Sequence, residues 1–384
     1  MNSPHVRIFL ATSQISTVYA MMISKASRTI GMKDVMFLDG SKRRKSLSTL
    51  IKNTAEVYNW DLVHDFSILM EEDYDFNPTI TKSITRKVKA WPMLRWLYKM
   101  LLGKKTAVAE LKYRDELKQV LASYLEEGVK ISLFLQTRTF LNRSLLQLFP
   151  DAEVNYLEHG MGDYYYMLDP KTVKGNFYCL FAESYKRFLA QNGNSSEWVK
   201  QLPGISTFAG IAQKLNAQES NPISVPGDKP YIFILLEAVD MYEVKPAFWS
   251  EYPDHIFAQL KNPSAYHYLL KPHPMQSSFS IAATKEHFDK QGYCYTLITK
   301  PDYITRGAEV LFQQWADKTE HVFCLFSSSV YYLSKLYSDD NITFWYSTEF
   351  LSRYISNAPP QYYKLFKEIR PLIENVLVEN CKPY

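Results

Sequence analysis

Apolar runs of strand length recur along this chain and alternate with stretches whose apolar positions return every three or four residues. The first run, Arg7–Ala11, leads into a polar turn, Thr12-Ser13-Gln14, and then a helical pattern from about Ser16 to Arg28. A second run at Asp34–Leu38 completes a strand–helix–strand unit, the opening of a doubly wound parallel sheet. Farther on, the pattern predicts helices over Lys112–Glu127 and Asn142–Phe149, and buried strands over Lys130–Leu135 and Glu153–Leu157. The last strand runs into Glu158-His159-Gly160-Met161-Gly162-Asp163-Tyr164. Polar and glycine residues just past a strand's carboxyl end are where such sheets place their sites.

From Pro203 to Asp228 the composition turns to Gly, Asn and Pro, which predicts a linker. A second alternation follows. Strands are expected at Tyr231–Leu236, Tyr266–Leu270, Cys294–Ile298 and His321–Phe326, with Ile342–Tyr346 as the last. Helices are expected at Pro246–Leu260, Gly307–Lys318 and Ser329–Leu336. The economical architecture is α/β, with two Rossmann-like domains facing each other across a cleft. The N-terminal domain would take residues 1–210, with a basic helical insertion at about 80–120, and the C-terminal domain residues 225–355. A closing helix at about Pro360–Val378, within residues 356–384, would fold back across the cleft.

A length of 384 residues, 46% hydrophobic and 22% charged, suits two packed cores and excludes global disorder. The aromatic share is 15%, and its 28 Tyr and 22 Phe build ordinary cores more often than they line carbohydrate clefts. Cys179, Cys294, Cys324 and Cys381 are scattered and form no Cys-x-x-Cys pair, which argues against a zinc site or disulfide scaffold and suits a reducing compartment. No apolar stretch reaches the roughly 18 residues of a membrane span, so a cytoplasmic protein is expected. A net charge of +4 does not by itself imply nucleic acid, and no nucleic-acid-binding motif is present.

The distribution of charge says more. Between Lys82 and Lys118 the cations Arg86, Lys87, Lys89, Arg95, Lys99, Lys104 and Lys105 interleave with Trp91, Trp96 and Leu97. That mixture suits a helix lying peripherally on an anionic membrane, a groove for an anionic polymer, or a solvated hairpin with an apolar face.

Three short segments carry chemistry. In Lys271-Pro272-His273-Pro274 the two prolines fix the backbone around an imidazole at a strand's carboxyl end, where it can hydrogen-bond a phosphate and share a proton with it. Ser327, Ser328 and Ser329 stand at a strand-to-helix junction. One serine suffices as a cap, and three point to anion binding at a helix N-terminus. In the third segment Gly160 and Gly162 permit positive φ or close approach, and Glu158 or His159 can act as a base on a hydroxyl acceptor. Glu309, early in a helix, suits the helix dipole and equally the two hydroxyls of a ribose. There is no Asp-x-Asp metal–nucleotide motif, no Walker loop and no Gly-x-Gly-x-x-Gly, so metal-independent chemistry is expected.

In this order the segments resemble the motifs of bacterial GT-B sialyltransferases, most of all the capsular polysialyltransferase family. That family carries an acid-acid-Gly motif, a His-Pro motif and a Ser-Ser motif in the same sequence. Ala11-Thr12-Ser13-Gln14 resembles the first strand and turn of those enzymes, and Gly204-Ile205-Ser206 a segment they place at the domain join. The resemblance implies a GT-B fold and inverting, metal-independent transfer of sialic acid from CMP-sialic acid to a glycan hydroxyl. It implies that Glu158 is the base with His159 as its partner, since His159 stands where the family has a second acid. It implies that His273, Lys271, Pro274, Ser327, Ser328 and Ser329 meet the CMP phosphate and that Glu309 holds the ribose, with Thr12, Ser13, Gln14, Gly160 and Gly162 lining the cleft. The acceptor would be an oligosialic or polysialic acid or a lipid-linked glycan. Single-sugar transfer to a lipooligosaccharide, transfer of another CMP-activated acid such as Kdo, and a non-catalytic polyanion-binding role in capsule assembly are the alternatives.

Overall fold

A computed structural model describes residues 4–39, 45–66, 113–125, 128–137, 139–168, 175–218, 223–236, 243–245, 247–274, 276–325, 327–338, 341–357, 367–378 and 380–384. The chain divides into two compact units, Met1–Leu157 and Glu158–Tyr384.

In the first unit the strands are β1 (His5–Ala11), β2 (Met32–Leu38), β3 (Leu62–Asp65), β4 (Lys130–Gln136) and β5 (Glu153–Leu157). They lie in the order β3-β2-β1-β4-β5, and every neighbouring pair is parallel. Ile8, Phe9, Leu10 and Ala11 are all fully buried, as a central strand covered on both faces requires. The helices are α1 (Gln14–Ser27), α2 (Lys45–Glu56) and α3 (Phe140–Leu148). The chain runs outward from β1 to β3 and returns to the other side of β1 at β4. Thr12-Ser13-Gln14 therefore sits at the point where the strand order reverses. Arg7 donates from Nε and Nη2 to the two carboxylate oxygens of Asp34, both at 2.7 Å, a buried pair that ties β1 to β2.

The second unit opens with β6 (Asn176–Cys179) and β7 (Val199–Gln201), which pair in parallel. Its later strands are β8 (Tyr231–Leu235), β9 (Glu243–Val244), β10 (His267–Lys271) and β11 (Tyr295–Leu297), then β12 (Thr319–Cys324), β13 (Thr343–Tyr346), β14 (Ile355–Asn357) and β15 (Cys381–Pro383). Six of these form a parallel sheet in the order β11-β10-β8-β12-β13-β15, while β9 and β14 make a separate antiparallel pair. The helices are α4 (Gly162–Tyr166), α5 (Ala182–Gln191), α6 (Phe208–Ala217), α7 (Phe248–Phe257), α8 (Ser278–Gln291), α9 (Pro301–Thr305), α10 (Ala308–Phe312), α11 (Ser328–Leu336) and α12 (Thr348–Tyr354). Again the order reverses beside the first strand of the sheet, between β8 and β12. Two Rossmann-like α/β units are thus present.

Three expectations change. The stretch expected as linker, Pro203–Asp228, contains α6, because Phe208, Ile211, Ala212 and Leu215 fall at helical spacing and are buried. Ile342–Tyr346 is not the last strand, since β15 adds to the edge of β13. The helix expected over Gly307–Lys318 is α10 followed by a separate 3₁₀ turn at Ala316–Lys318. Of the expected closing helix, residues 360–366 lie outside the described residues, and 367–372 are helical and continue into a π-helical turn at Ile373–Leu377, which contacts α5. Among the described residues no helix is long and apolar enough to cross a membrane.

Candidate active site

At the carboxyl edge of the second sheet, β10 delivers Lys271 and the Pro-His-Pro turn. β12 delivers the serine triplet, and α10 brings Glu309. Lys271 is buried, and its Nζ donates to the carbonyl of Ile304 at 3.0 Å. Burial lowers its pKa to about 8, against an opposing pull from Glu309. His273 is half-buried. Its backbone N–H donates to Oε1 of Gln276 at 3.3 Å, and its carbonyl accepts from the Gln276 N–H at 2.9 Å, which closes the turn before α8. Burial, and then the Lys271 charge, lower its pKa, so the ring is neutral near pH 7.

Glu309 is buried in the first turn of α10. Burial raises its pKa, while its own backbone N–H, the Ser329 hydroxyl and the Lys271 charge pull it back. Ser327 is the N-cap of α11, and its side chain accepts from the Ser329 N–H at 3.3 Å. The structure therefore brings Lys271, Glu309 and Ser329 together from three separate segments. The cluster joins a cation, a carboxylate and a helix N-terminus in a water-poor setting, the ingredients for holding a phosphorylated, hydroxyl-bearing ligand.

The Glu158 segment lies at the carboxyl end of β5. Glu158 is fully buried, and its Oε2 accepts from the Leu180 N–H at 2.7 Å. Burial pushes its pKa up to about 7, offset by the Leu180 N–H bond and by the nearby hydroxyls of Tyr332 and Tyr164. Tyr332 belongs to α11, so the same serine-capped helix touches both motifs. His159 is the partly exposed member of the pair, with Nδ1 2.8 Å from Oδ2 of Asp163. That carboxylate oxygen also accepts from the backbone N–H groups of His159 at 2.7 Å and Gly160 at 3.2 Å. Neither Gly160 nor Gly162 has positive φ, because Asp163 and the start of α4 set an ordinary turn.

Pro274 lies in the turn after His273, and Ser328 opens α11 half-buried. Thr12, Ser13 and Gln14 belong to the first unit, where their polar groups are used locally. Ser13 caps α1 in a reciprocal pair with Ser16, the Thr12 N–H donates to Ser16 Oγ, and Gln14 donates to Thr54 Oγ1. Arg86, Lys87, Lys89, Arg95, Lys99, Lys104 and Lys105 lie outside the described residues. Sequence reasoning missed Asp163, Tyr332 and Arg306. Arg306 is buried, donates to Asn216 Oδ1 at 3.1 Å and lies 5.4 Å from the Tyr303 ring centre. Only Asp163 carried a signal, as an acid four residues after a histidine in a glycine turn.

No family model matches the sequence, and no curated protein matches it. Solved structures do. A crystal structure of UDP-N-acetylglucosamine 2-epimerase aligns with a TM-score of 0.51 at 9% identity, over 91% of this chain and 80% of that one. The S. aureus MnaA–UDP co-structure gives 0.48 at 10% identity, over 90% and 78%. The GT-B domain of a sialyltransferase from Photobacterium damselae gives 0.42 at 10% identity, over 97% and 96%. The chain has a GT-B-like fold. At such identities the likeness speaks to fold alone.

Proposed function

We propose that this chain is a glycosyltransferase that moves sialic acid from CMP-sialic acid to a hydroxyl of an anionic glycan, an oligosialic or polysialic acid or related capsular acceptor. The transfer inverts the anomeric centre and uses neither metal nor cofactor. The single observation that carries the reading is the gathering of buried Lys271 and Glu309 with half-buried Ser329 at the carboxyl edge of the second sheet. Lys271 and Ser329 come from two of the segments that resemble the sialyltransferase motifs, and Glu309 stands where the resemblance implies a ribose-holding acid.

In this reading the departing CMP phosphate meets the α11 N-terminus, Ser328 and the neutral His273 ring. Negative charge develops there as the bond to the sugar breaks, and preorganised donors aimed at it are the largest catalytic term. Glu309 accepts from the ribose hydroxyls, and the Glu158–His159 pair serves the acceptor hydroxyl. The basic stretch around Arg86–Lys105 holds a polyanionic product between additions or attaches the protein to the inner face of a membrane.

Thermal stabilisation by nucleotides tests the donor half. Saturating CMP raises the melting temperature, by about 3 kcal/mol of linkage at a hundredfold excess over Kd, while UMP and GMP do not. A shift with UDP and none with CMP would instead group the chain with the UDP-sugar enzyme whose fold it shares.

A further inference from the structure

We infer that His159, backed by Asp163, is the group that takes the proton from the acceptor hydroxyl, and that Asp163 is its positioning residue. The inference rests on the transferase reading above and assigns the base within it. Glu158, the residue the motif resemblance favours, has no exposed surface. Its Oε2 is bound to the Leu180 N–H, and the side chains of Tyr332 and Tyr164 pack near the same carboxyl group. An acceptor sugar reaches that carboxylate only if this packing opens. The His159 side chain, by contrast, keeps 28% of its surface exposed, while Asp163 behind it keeps 1%.

The geometry around Asp163 is that of an orienting carboxylate. Its Oδ2 gathers Nδ1 of His159 at 2.8 Å and the N–H groups of His159 and Gly160 at 2.7 and 3.2 Å. The two backbone donors fix that carboxylate beside the ring, and its closeness to Nδ1, at 2.8 Å, favours the tautomer with the proton there. The lone pair is then on Nε2, the nitrogen that serves as base. In the transfer, the acceptor oxygen forms a bond to the anomeric carbon as its proton passes to Nε2. The bond from that carbon to the phosphate oxygen breaks, and its electron pair leaves with CMP. Asp163 stabilises the imidazolium until the proton returns to solvent. The two backbone bonds alone would lock the turn, so the Nδ1 contact is the part a purely structural role does not require.

The test compares the wild type with His159→Ala, Asp163→Asn and Glu158→Gln, using CMP-Neu5Ac and a labelled oligosialoside, with CMP-induced thermal shift as a check on folding and donor binding. His159→Ala is expected to lose about 10²–10⁴ in kcat with KM for the donor and the CMP shift unchanged. Added imidazole restores part of that rate, which no structural defect would allow. Asp163→Asn lowers kcat in the same direction and is not restored by imidazole, because its ring is present in the wrong tautomer. Transfer by His159→Ala within about threefold of wild type would overturn the inference. So would a His159→Ala defect that imidazole leaves untouched while Glu158→Gln, still folded and CMP-responsive, is dead. A wild type that releases no CMP from CMP-Neu5Ac would sink the transferase reading itself, and the inference with it.

Discussion

Ser329, in the first turn of α11, stands near the buried Glu309 of α10, where its hydroxyl opposes the rise that burial gives that carboxyl's pKa. Two segments that composition could only mark as a cap and a dipole-friendly acid are thereby one unit, and Lys271 supplies its counter-charge. Residues in one hydrogen-bonded unit do not act independently. Ser329→Ala and Glu309→Gln should each weaken CMP binding, and the double variant should lose less than the sum, with a coupling of about 0.5–3 kcal/mol. Calorimetric titration of CMP into the four proteins measures it; strict additivity would mean that the contact does not matter to the ligand.

Ser327 answers a different question, because its side chain is committed to the α11 cap. Ser327→Ala should cost about 0.5–2 kcal/mol of stability. Denaturant unfolding reads this directly. Ser328→Ala, whose hydroxyl caps nothing in α11, should spare stability and weaken CMP binding. A reversed pair of effects would exchange their roles.

The buried Glu158 carboxyl makes a prediction about pH. Its folded pKa, raised from 4.5 to about 7 by burial, means the native state holds a proton that the unfolded chain has already released across that window. Stability from this group is full below about pH 4.5 and is lost as pH rises through about 7, by up to about 3 kcal/mol. Glu158→Gln mimics the protonated form. Its melting temperature relative to wild type should therefore be higher at pH 8 than at pH 5. A difference that does not change with pH would show that Glu158 is ionised in the fold throughout.

Burial and the neighbouring Lys271 lower the pKa of His273, so in the proposed reading it serves the phosphate as a neutral hydrogen-bond donor. His273→Ala should lower kcat by about 10²–10³. Steady-state CMP release with acceptor present checks this, and a near-wild-type rate would remove His273 from the phosphate site.

How much of this was legible beforehand follows from the range of the interactions involved. The strands were legible because buried parallel strands are unbroken apolar runs: β5 falls on Glu153–Leu157, as its pattern predicts. Helix α6 was not, because Gly204, Asn216 and Pro222 around it carry turn chemistry that outweighed four buried positions in a short helix. The three motif segments stood out as strand-end polar residues. What pairs them is set by tertiary contact, and nothing local in the sequence announces that Tyr332 of the serine-capped helix reaches Glu158. The division of labour between Glu158 and His159 turns on burial, which neighbouring positions in a glycine turn do not reveal.

The most direct test is incubation of the purified protein with CMP-Neu5Ac and a fluorescent oligosialoside, with and without EDTA, following CMP release and label length by chromatography. The account predicts CMP released in step with elongation of the label, unaffected by the chelator and slowed by about a hundredfold or more in the Lys271→Ala and His273→Ala variants. CMP release no faster than spontaneous hydrolysis, with the label unchanged in length, would contradict it.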